Sequence, residues 1–157
     1  MDRDLARGAL LGFLGGLCAA GAMSLAHRIV RDSTLKPEAA EPRTDDATVK
    51  VASPIMRLAG VHLTEENKAL AGNVVHYAFG ALVGAVYGAV AEIVPRATAA
   101  AGLPFGVAVW LGAHVIAVPA LDLAEPPTCR PVDKEAEEFG LHLIYGMTTE
   151  LVRRLLS

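Results

Sequence analysis

The sequence predicts an all-α polytopic membrane protein, a four-transmembrane-helix bundle with one long loop between helices 1 and 2. Three observations predict it. Apolar residues make up 53% of the 157-residue chain against 20% charged residues. The 17 acidic and 14 basic residues are unevenly spread, leaving long windows almost free of charge. Those windows are apolar or small on every face, whereas a helix in a soluble bundle keeps a polar face. The same composition excludes other classes. A disordered tail would be charge-rich and apolar-poor. A net charge of −3 supplies no basic field for nucleic acid. Two cysteines cannot build a disulfide scaffold. The partner this composition does imply is the lipid bilayer.

The chain reads as a single membrane domain over 1–157. A helix needs about 20 apolar residues to cross a hydrocarbon core of roughly 30 Å. The first span is placed at about 7–27, around the charge-free run Gly8 to Ala26. A cleaved signal peptide is the rival reading, with small residues at Ala19-Ala20-Gly21-Ala22. Against it, the opening Met1-Asp2-Arg3-Asp4 is not clearly positive. The apolar stretch also outruns a signal core and ends in His27, Arg28 and Arg31, so the helix is expected to be retained. Residues 28–68 form the long loop. Its 34–50 stretch is rich in Glu, Asp, Pro and Ala and is expected to be mobile. Apolar residues then return (Pro54, Ile55, Met56, Leu58, Val61), which suggests an interfacial helix over about 53–62.

Thr64 followed by Glu65 and Glu66 looks like a helix N-cap with acids in the first turn. The second span follows at about 69–94. The third, about 99–121, contains no Asp, Glu, Lys or Arg. Pro126, Pro127 and Pro131 break helices, so 122–137 reads as a loop. The fourth span, about 138–156, is the weakest. It reaches spanning length only with Glu138 at one interface and Arg153-Arg154 at the other. Arg3, Arg7, Arg96, Arg153 and Arg154 fall in short segments on the side of both termini. Weighting by density in short segments places both termini in the cytoplasm, in a bacterial inner membrane.

Glycines repeat every fourth residue. Gly80, Gly84 and Gly88 form one ridge on the second span, and Gly8, Gly12 and Gly16 one on the first. Lipid is as apolar as leucine, so close backbone approach must drive helix association. Such ridges serve packing within the bundle, or association into a homo-oligomer or larger membrane complex.

Histidines are the main polar groups inside the spans. Alternating helix direction and a rise of about 1.5 Å per residue bring His76, His114 and His142 to a similar depth on the loop side. Tyr87 lies on the His76 stripe, and Glu138 and Tyr145 on the His142 stripe, giving an intramembrane polar seam. Three readings of the imidazoles compete: interhelical hydrogen bonds, a proton-responsive site, and metal or haem ligation. No Cys-x-x-Cys or His-Glu-x-x-His spacing supports the last, so no metal or cofactor is assigned. At the opposite edge, Glu92, Arg96, Glu150, Arg153 and Arg154 are expected to form an ion-pair cluster, including a Glu92 contact to Arg153 or Arg154. There is no phosphate-binding loop, nucleophile elbow or pair of catalytic acids, and neither Cys18 nor Cys129 looks activated, so no catalytic residue is assigned and the chain is read as non-enzymatic.

The run His76-Tyr-Ala-Phe79 through Tyr87, then Ala91-Glu92 and Pro95, resembles the YagU-type family of bacterial inner-membrane proteins, a domain of unknown function. His114 with Pro119 and Pro126-Pro127 carries the resemblance onward, as do Glu138, His142, Glu150 and Arg153-Arg154. It covers roughly 72–156. The resemblance implies a four-helix integral membrane protein with both termini cytoplasmic, and supplies no substrate, cofactor or catalytic residue. The function expected is a structural or accessory one, pH-responsive through the histidines. The alternatives are a small proton or ion transporter or channel, and a metal- or haem-binding membrane subunit.

Overall fold

The computed structural model describes residues 4–33 and 46–157, and among these every regular element is helical. Helix α1 runs over Leu5–Ser33, α2 over Ala47–Leu58 and α3 over Glu65–Ile93. A turn over Pro95–Gly102 leads into α4 (Leu103–Val109), which continues through a π-helical stretch (Trp110–Ala117) into α5 (Val118–Ala120). Helix α6 covers Val132–Leu156. Three segments are long and apolar enough to cross a membrane: Leu5–Ser33, Glu65–Ile93 and Pro95–Ala120. Helix α6 is long enough, but its charges keep it outside that set, so three spans rather than four stand on length and composition.

Helix α1 occupies the middle, with α3 along one side and α6 along another. Its glycine ridge meets that of α3 head to tail: Gly8 faces Gly88, Gly12 faces Gly84 and Gly88, and Gly16 faces Gly80 and Gly84. A Cβ built on Gly12 or Gly84 would collide with the opposing backbone carbonyl. Helix α6 is seated by the same device. Gly15 of α1 presses on the Thr149 backbone, while Gly102 and Gly106 press on Gly146 and the His142 carbonyl. The glycine ridges are therefore closed within one chain. Large apolar side chains point outward instead, among them Leu10, Phe13, Leu17, Phe79, Leu82 and Val86. That inversion suits a chain whose solvent is hydrocarbon.

Several elements differ from the sequence expectation. The helix placed at 53–62 forms over Ala47–Leu58, where the Asp46 carboxylate accepts from the Val49 N–H as N-cap and Gly60, at φ 75°, follows the C-terminus. It folds back on α3, with Val49 and Thr48 against Gly72. The part of the expected mobile stretch over 34–45 lies outside the described residues. The helix of the third span starts at Leu103 rather than 99 and is π-helical over Trp110–Ala117. Its entry turn takes Ala100, Ala101 and Gly102 into the left-handed region (φ 48°, 55° and 83°). Left-handed alanine costs roughly 1–2 kcal/mol per residue, and external contacts hold it here. The Arg154 Nη2 donates to the Thr98 carbonyl at 2.9 Å, and Gly102 abuts Gly146. Finally, α6 begins at Val132, not 138: Pro131 stands at its N-cap position and Asp133 and Glu135 occupy its first turn, where acids complement the helix dipole.

Candidate functional site

The two ends of the bundle carry two polar clusters. The first lies on the loop side. His114 sits inside the π-helical stretch, a deviation often found at functional positions. Its Nε2 contacts Glu135 Oε2 at 3.0 Å, and the other oxygen of Glu135 accepts from Arg130 Nη1 at 3.3 Å. The imidazole and carboxylate side chains are each 14% exposed. The Trp110 ring stacks near His114 at 6.4 Å between centroids, and Phe139 meets Trp110 edge-on at 5.0 Å. The Trp110 Nε1 is buried with no hydrogen-bond partner. On α6, the His142 ring lies 5.9 Å from that of His114.

The remaining histidines divide. His142 Nδ1 donates to the Glu138 carbonyl at 2.7 Å, which leaves Nε2 as the lone-pair nitrogen of the neutral ring. His76 Nε2 donates to the Ala20 carbonyl at 3.4 Å. The structure thus pairs His114 with His142 and ties His76 to α1. Glu138 serves His142 through its backbone, and its side chain lines a cleft of about 220 Å³ with His27, Arg130, Lys134 and Glu137. At the rim of that cleft Glu137 lies 3.9 Å from His27 Nε2 and 3.8 Å from Lys134 Nζ.

The second cluster lies at the end shared by both termini. Glu150 is 1% exposed. One of its oxygens accepts from Tyr87 Oη at 2.8 Å and from Arg153 Nε at 2.8 Å. The other accepts from Arg153 Nη2 at 3.1 Å and from Arg154 Nε. Arg153 Nη1 also reaches Glu92 at 4.0 Å. The carboxylate is thereby compensated on all sides, as a buried charge requires. Arg96 is exposed on the entry turn and joins no ion pair among the described residues.

Between the clusters the interior is filled. Phe105 stacks on Tyr87 at 4.0 Å and lies 5.6 Å from Tyr145. The Tyr145 hydroxyl donates to the Gly80 carbonyl at 2.6 Å, and Thr149 Oγ1 to the Tyr145 carbonyl at 2.8 Å. Among the described residues, no group of three His, Cys, Asp or Glu side chains is arranged to hold a metal ion. The candidate set of His76, His114, His142 and Glu138 has these other partners instead.

Sequence reasoning missed Glu135, Arg130 and Phe105 as site residues. For Glu135 a signal existed, since acids follow Pro131 where a helix could begin. For Phe105 none did, because an aromatic in an apolar run does not announce its partners.

No curated protein and no solved structure matches the chain. Residues 50–151 match the family model described as "Protein of unknown function (DUF1440)". That stretch takes in α3 through most of α6, with both clusters except Arg153 and Arg154, and so the chain belongs to the DUF1440 family.

Proposed function

We propose that this chain is a small, non-enzymatic integral membrane protein of the YagU type, with a structural or accessory role and a proton-responsive latch on its loop side. In this reading α6 is the fourth span, both termini are cytoplasmic and the membrane is a bacterial inner membrane. The packing of α6 against α1 and the internal pairing of Glu150 support the fourth span. Since the glycine ridges are used within the chain, association with a second copy or another protein falls to the outer apolar faces.

The single observation that carries the latch is the His114–Glu135–Arg130 contact. It ties the third span to the first turn of α6, with His142 beside it. Protonation of His114 adds ion pairing to a hydrogen bond that Glu135 already accepts. The latch therefore makes stability depend on pH through Glu135. Thermal unfolding in detergent between about pH 5 and 8 tests it. Glu135→Gln should flatten part of the pH dependence, and an unchanged profile would remove the latch.

A second reading, proton or ion transport, draws on the cleft that opens beside His27 and Glu138. The stacked rings of Tyr87, Phe105 and Tyr145 lie outside its lining. Flux into proteoliposomes, with His114→Ala as control, decides it. A leak equal to that of empty vesicles would count against transport.

A further inference from the structure

A different hollow, of about 270 Å³, lies where α2 folds back on α3. Ser53, Pro54 and Arg57 of α2 line it with Val61, His62, Leu63 and Lys68. No carboxylate is among the described residues that line it. Arg57 and His62 form no ion pair among the described residues. Lys68 contacts Glu65 at 2.6 Å, but the Glu65 side chain is 87% exposed and outside the hollow. The Lys68 ammonium has three donors, so it can meet an anion in the hollow while keeping the partners it has.

The position points to lipid. Lys68 is the last charged residue before a run from Ala69 to Ala91 that contains no Asp, Glu, Lys or Arg. It therefore marks the edge of the hydrocarbon core, the level at which headgroup phosphates lie. Beside the basic lining, Ile55, Leu58 and Val61 project outward at 55%, 91% and 40% exposure. A free phosphate has no use for such a row, whereas acyl chains next to a headgroup cover it.

We propose that the hollow lined by Arg57, His62 and Lys68 holds the phosphate of an anionic phospholipid headgroup. The inference rests on the chain being inserted in a bilayer. The test uses the full chain in detergent at about pH 7, where thermal unfolding is followed with added phosphatidylglycerol, phosphatidylcholine or inorganic phosphate. Phosphatidylglycerol should protect more than phosphatidylcholine. Arg57→Gln should weaken that protection about fivefold, the worth of one basic residue at a membrane surface. Arg57→Lys should keep most of it, and Arg31→Gln, on α1 at the same end, should keep all of it. If Arg57→Gln does not fold, Lys68→Gln is read in its place with the same expectation. Equal protection by phosphatidylcholine, equal protection of the glutamine variant, or full substitution by inorganic phosphate would overturn the proposal. Alkaline extraction of the wild type from membranes separates the two failures. A chain released as soluble protein defeats the membrane reading, while a retained chain without lipid preference defeats the headgroup site alone.

Discussion

The Glu150 cluster and the His114–Glu135 cluster use the same chemistry to opposite ends. Glu150 is closed over: two arginines and a tyrosine supply its hydrogen bonds, and it is 1% exposed. Glu135 has two partners, an imidazole and a half-exposed arginine, at a surface beside an open cleft. Arginine keeps its charge at any pH the cell meets, whereas imidazole changes charge within it. The first cluster therefore behaves as a fixed clamp on the turn Pro95–Gly102, which Arg154 also holds. On the proposed reading, the second tightens and loosens. The same contact, a carboxylate across two helices, becomes permanent or adjustable according to the cation chosen and the water admitted.

The largest effect is expected from breaking both ends at once. Gly84→Leu places a side chain where the Gly12 carbonyl and Gly16 backbone already lie, and backbone cannot yield as a flexible side chain does. The loss should reach or exceed about 3 kcal/mol, with failure to accumulate in membranes as the simpler readout. Next comes Glu150→Leu, which strands Arg153 and the Tyr87 hydroxyl. About 3 kcal/mol should be lost in unfolding from mixed micelles, nearly independent of pH between about 5 and 8. Tyr87→Phe removes one bond to that carboxylate and should cost about 1 kcal/mol. At the other end, Glu135→Gln should cost about 1 kcal/mol, an amount that changes with pH where that of Tyr87→Phe does not. Lys134→Ala, which removes a 66% exposed side chain from its pair with Glu137, should change stability by less than about 0.5 kcal/mol.

What the sequence makes legible here follows from which forces leave a pattern. Charge exclusion from hydrocarbon writes itself along the chain, so the apolar windows before Ala26, after Ala69 and up to Leu121 can be read directly. Glycines at a spacing of four announce a ridge, although not that Gly84 meets Gly12 rather than a second copy. Local backbone devices leave no such trace. Alanine gives no hint that Ala100 and Ala101 turn left-handed, because contacts from Arg154 and Gly146 impose that conformation from afar. The π-helical stretch around His114 is equally silent. Glu135 was hidden by its neighbours, since three prolines read as loop although the last of them stands at the start of α6.

The most direct test of the difference between the two ends is the pH dependence of thermal unfolding, measured side by side for wild type, Glu135→Gln and Tyr87→Phe. The account predicts that Tyr87→Phe lowers stability by a similar amount at every pH from about 5 to 8. Glu135→Gln should lower it by an amount that changes with pH, because the carboxylate gains more from a cationic partner than from a neutral one. A Glu135→Gln curve running parallel to wild type across that range would contradict it.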